Sequence, residues 1–102
     1  MNFKTHNDKN VEIFGTSLQG YVSCDYKKIK SIFGKPVVFE SGCKVDAEWG
    51  IEFENGLVAT IYNYKDGKNY NGKEGLPKTK ITEWHIGGRD KSVVKLIQDL
   101  LK

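Results

Sequence analysis

No run of apolar residues in this chain approaches the ~18–20 needed to cross a bilayer, and the opening MNFKTHNDKN lacks the apolar stretch of a secretory signal. The expectation is a protein made and kept in a cytosol, with no membrane partner. Cysteine is scarce: Cys24 and Cys43 have no C-x-x-C partner and are too few for a disulfide framework, so reduced thiols are expected. With His6 and His85 they are the only soft ligands, and they show no zinc spacing, so no metal is expected. There is no G-x-S-x-G, no P-loop or dinucleotide-fold glycine pattern, and no Cys–His pairing that spacing supports. The expectation is a protein that binds rather than one that catalyses, with no cofactor.

What is present fits one domain over residues 1–102. Hydrophobic residues at 38% and charged residues at 28% lie in the range of folded globular chains. The formal charge of +3 is matched by one stretch, residues 65–80, where five lysines face Asp66 and Glu74. Such a loop contacts phosphates in some proteins and is merely solvated in more.

Residues 1–10 read as a polar arm, followed by an apolar cluster Val11-Glu12-Ile13-Phe14 that suits a short strand or a continuation of the arm. Leu18 to Val22 reads as a strand. Ser23 and Asp25 then offer N-cap chemistry to a helix whose Tyr26, Ile29, Ile32 and Phe33 recur at helical spacing, ended by Gly34 and Pro36. Val37 to Glu40 follows as a strand. The clearest local signal is the alternation around Asn55-Gly56, the dipeptide suited to a two-residue type I′ turn. That loop predicts Phe53 opposite Val58, Ile51 opposite Thr60 and Trp49 opposite Tyr62. Trp49, Ile51, Phe53, Val58 and Tyr62 then point to the core, while Glu48, Glu52 and Asn63 lie on the outer face. KDGKNYNGKEGLPK, residues 65–78, has no periodicity and reads as a mobile basic loop. Lys80 to Gly87 returns as a strand broken by Gly87-Gly88. Ser92 to Leu101 is an amphipathic helix with Asp90 as its N-cap. The fold class is α+β, an antiparallel sheet of about four or five strands with two helices on one face.

Three groups can carry chemistry. Glu48, Glu52, Glu83 and His85 share the outer face if the last strand lies beside the hairpin, and a carboxylate favours the protonated state of a neighbouring histidine. A solvated sheet face looks the same. Trp49, Tyr62, Tyr64 and Trp84 can stack or anchor, but alternation sends all but Tyr64 to the core; Tyr64 and Tyr70, with Lys68 and Lys73, remain open to a partner. Gly88, Arg89, Lys91 and Ser92 precede the last helix, where free N–H groups attract anions. A plain tight turn is the commoner origin of such a segment.

T-S-L-Q-G-Y-V, F-G-K-P, A-E-W-G-I-E-F-E-N-G-L-V-A-T-I-Y-N-Y-K and E-W-H-I-G-G, in this order over Thr16 to Gly88, resemble a small family found in bacteriophage genomes. The resemblance implies an accessory factor in the host cytosol that binds a host protein, such as a CRISPR-type or other immune complex, and inhibits or modulates it. The helix, F-G-K-P, strand and W-x-I-x-F order also looks like a half-unit of the β-lactamase-inhibitor-like fold, a protein-binding scaffold. Alternatives are a nucleotide-binding sponge that sequesters a defence signal through Arg89, Lys91, Ser92 and loop lysines, and a nucleic-acid-binding module using the basic loop.

Overall fold

The computed structural model describes residues 2–5, 16–40 and 43–102. The cluster Val11 to Phe14 lies outside them. Six strands form one antiparallel sheet: β1 (Phe3–Thr5), β2 (Ser17–Ser23), β3 (Val37–Val38), β4 (Ala47–Phe53), β5 (Val58–Tyr62) and β6 (Glu83–Gly88). Their order is β1-β4-β5-β6-β2, with β3 sharing the outer edge of β4. The helices are α1 (Tyr26–Phe33), the single turn α2 (Lys68–Asn71) and α3 (Ser92–Leu100). The fold is α+β, as expected.

The hairpin differs from the expectation by one residue. Glu48 pairs with Tyr62, Gly50 with Thr60 and Glu52 with Val58, so the loop is Glu54-Asn55-Gly56. The Phe53 amide donates to the Leu57 carbonyl at 2.8 Å, and the Gly56 amide donates to the Phe53 carbonyl at 2.9 Å. Gly56 alone in the loop has positive φ, +87°, which makes this a three-residue loop with a left-handed glycine rather than a type I′ turn. Asn55 serves differently, its Oδ1 accepting the Leu57 amide at 3.1 Å. The side-chain period of a strand is two, so the shift turns every β5 residue over. Ala59 and Ile61 are buried beside Trp49 and Ile51, while Val58 and Tyr62, expected in the core, face the other way. This register buries Ile61 in place of the Tyr62 hydroxyl.

Trp49, Ile51, Phe53, Ile61, Trp84 and Ile86 form the sheet side of the core, against Ile29 and Phe33 of α1 and Val93 and Ile97 of α3. The two tryptophans meet edge to face at 5.3 Å and reach opposite ends of α1. Trp49 Nε1 donates to the Gly34 carbonyl at 2.7 Å, and Trp84 Nε1 donates to the Cys24 carbonyl at 3.0 Å. Asp25 stands at the start of α1 without a side-chain capping bond. The glycine pair expected to break β6 continues it, Gly88 pairing with Ala59 and Ser17. A Cβ on Gly88 would lie 2.8 Å from Val93, so the missing side chain is what lets α3 sit close on the sheet.

Two further segments depart from the expected outline. The polar arm contributes β1, held by Phe3, whose ring lies 5.1 Å from Phe33 and 6.4 Å from Phe53. Residues 65–78 contain α2, a 3₁₀ turn at Gly72–Glu74 and the start of another at Lys78–Lys80, so Lys80 is not yet strand. Ile81, placed on the outer side of that strand by alternation, follows the turn and is buried.

Candidate binding face

On the sheet face opposite α1 and α3, adjacent strands bring Glu48, Tyr62, His85 and Tyr21 into one row. Tyr62 lies nearly parallel to the His85 imidazole at 5.4 Å, Tyr21 meets it edge-on at 5.0 Å, and Tyr64, just past β5, does so at 5.9 Å. Tyr21 is 55% exposed and Tyr64 40%. Inside this ring of tyrosines His85 Nδ1 is buried and has no hydrogen-bond partner. Burial raises the Glu48 carboxyl above its ordinary value. Burial also raises the Tyr62 hydroxyl, helped by Glu48, Tyr21 and Tyr64. Both shifts come from the loss of water around the charged forms, and the row offers a partner rings with polar edges.

The expected cluster of three glutamates with His85 is spread out. Glu48 shares the row of His85, but Tyr62 stands between them. Glu83 is exposed and accepts the Ser23 hydroxyl at 2.7 Å. Glu52 lies towards the hairpin end of β4, opposite Lys4 and Val58. Tyr21 is the member that the sequence reading left out, and Tyr62 the one it sent to the core. Alternation about buried Val22 was the available signal for Tyr21, and for Tyr62 the signal depended on a register the turn dipeptide did not specify.

Asn63, expected on the outer face, is completely buried. Its Oδ1 accepts the amides of Asp46 and Ala47 at 2.8 and 3.1 Å, and its Nδ2 donates to Asp46 Oδ1 and Asp66 Oδ1, both at 2.9 Å. Asn69 extends the network, its amide donating to Asp46 Oδ2 at 3.2 Å and its Nδ2 to the carbonyls of Phe39 and Val45 at 2.8 and 3.0 Å. These bonds anchor the supposed loop to the sheet. Lys68, Lys73 and Tyr70 project from it, all exposed, and Lys65 Nζ lies over the rings of Tyr64 and Tyr70 at 5.3 and 5.5 Å.

At the start of α3 the anion-binding candidates meet a competitor. The N-cap position is held by Lys91, not Asp90 as expected; Asp90, one residue before it, accepts the Ser92 amide on Oδ1 at 2.8 Å, and hydrogen bonds from Ser92 lower its carboxyl below the usual range. An external anion would compete with that carboxylate. Gly88 is buried within β6, while Arg89, Lys91 and Ser92 are exposed. Cys24 and Cys43 are free thiols, and burial, then Asp25, raises Cys24, which disfavours its reactive thiolate. Among the described residues no three His, Cys, Asp or Glu side chains are grouped to hold a metal, and no helix is long and apolar enough to cross a membrane.

No protein-family model matches the chain, and no curated protein matches it.

Proposed function

We propose that this chain is a non-catalytic binding protein that docks a protein partner on the sheet face carrying Tyr21, Tyr62, Tyr64 and His85. The observation that supports this most directly is the packing of three tyrosines around His85, whose Nδ1 has no partner of its own. Protein interfaces concentrate their energy in such aromatic groups, and a tyrosine offers a large contact area at small entropic cost. The phage-family resemblance supplies the setting: the partner is a host protein, such as an immune complex in the host cytosol, that the chain inhibits or modulates.

Affinity capture from host lysate tests the reading, with a specific complex of fixed stoichiometry as the expected result. Tyr21→Ala and Tyr64→Ala, at the two exposed rings, should each weaken that complex about tenfold or more while leaving thermal unfolding nearly unchanged, as truncation of an exposed interface anchor does. Capture of no specific partner, or full binding by the double variant, would remove it. The nucleotide-sponge alternative at Arg89, Lys91 and Ser92 is the weaker reading, because Asp90 already places a negative charge there.

A further inference from the structure

Lysines that are far apart in the chain come together on the other side of the sheet. Helix α1 turns Ile29 and Phe33 inward and leaves Lys27, Lys28 and Lys30 exposed, with Lys35 exposed just beyond its end. The Lys78–Lys80 turn packs against α1. A groove of about 330 Å³ lies between β3 and the 65–80 excursion, walled by Val38 and Phe39 and bordered by Lys68, Lys78 and Thr79.

Residues 25–35 carry a net +3 and residues 65–80 another +3, so in a chain of +3 everything else sums to −3. The positive charge is therefore segregated. Its local counter-charges are few. Asp66 is turned inward onto Asn63, and Asp46, at the groove, is engaged by Asn63 and Asn69. Asp25 and Glu74 remain exposed within these stretches, as do Glu40 just past β3 and Glu83 just past the Lys78–Lys80 turn. Among the described residues none of Lys27, Lys28, Lys30, Lys68, Lys78 or Lys80 is in an ion pair; Lys102 with Asp99, at 3.4 Å, is a pair elsewhere.

We infer that the surface of α1 with Lys68, Lys78 and Lys80 binds the phosphate backbone of a nucleic acid; Lys65, over Tyr64 and Tyr70, belongs to the protein-docking side instead. Clustered cations release counterions from a polyanion, which gives sequence-independent binding. The side chains suit that mode. They are lysines, flexible point charges, whereas paired reading of base edges favours arginine, and the chain's single arginine, Arg89, lies at the opposite end of β6 from the Lys78–Lys80 turn.

Fluorescence anisotropy with a labelled 20-nucleotide DNA strand and the matching RNA tests the inference. Binding of either at 50 mM salt is expected in the micromolar range, weakening on the order of 30- to 100-fold at 200 mM for about four phosphate contacts. The pairs Lys27→Gln with Lys30→Gln, and Lys78→Gln with Lys80→Gln, should each weaken binding about tenfold and lower the salt slope by roughly one to two. A control pair of equal charge loss, Lys95→Gln with Lys102→Gln, should stay within about twofold by the same contact argument. Circular dichroism verifies that all three variants fold. No binding of either strand at 50 mM salt, or equal losses in control and surface pairs, would overturn the inference.

Discussion

Asn63 uses one buried amide to hold two backbone N–H groups and two carboxylates. Buried polar groups are costly only when a partner is lost. Asn63→Ala is expected to cost about 2–4 kcal/mol in urea unfolding, since it strands several groups at once. Asn63→Asp should cost more than that, because its carboxylate would face Asp46 and Asp66. Nothing local marked this residue as interior: its partners lie 17 positions back and three ahead, and alternation alone gave the wrong side once the register was wrong. Glu48 carries a pH dependence of its own. Burial raises its folded-state carboxyl, so above the unfolded value of about 4.3 the folded chain keeps a proton that the unfolded chain has lost. Stability therefore falls as pH rises through that window, and Glu48→Gln should flatten the profile and stabilise the protein at neutral pH. Thermal melts of both proteins across the window measure this.

At the scale of elements, the hairpin shows how a correct element can come with an incorrect register. Asn55-Gly56 marked the turn truly, and the alternation of β4 placed Trp49, Ile51 and Phe53 in the core as observed. A dipeptide does not state whether Glu54 belongs to the loop, and only packing against α1 and β6 decides that. Gly56→Ala should cost about 1 kcal/mol, since alanine is strained at positive φ. Deleting Glu54 is the sharper test: it leaves Asn55-Gly56 as a two-residue loop suited to a type I′ turn, with Phe53 still opposite Leu57 and Ala59 and Ile61 still inward. A retained cooperative unfolding transition in urea is expected. Helices α1 and α3 were legible because a 3.6-residue stripe needs no distant information. The turns of 65–80 were not, because Asn69 and Asn71 hold them through bonds to Phe39, Val45 and Lys65.

For the whole molecule, the sheet separates an aromatic face from a lysine-rich side. That arrangement was half visible in the sequence. The basic excursion stood out as a charge run, but the lysines of α1 are an ordinary exposed helix face until the Lys78–Lys80 turn is seen against them. Trp49 and Trp84, the chain's only tryptophans, are fully buried and hydrogen-bonded to the two ends of α1. All tryptophan emission from the folded protein thus arises beneath that one helix. The native spectrum should be blue-shifted and nearly immune to acrylamide, and a red shift that precedes loss of the sheet's circular dichroism would report that α1 has lifted first. The molecule carries its own optical gauge of the helix that presents its lysines.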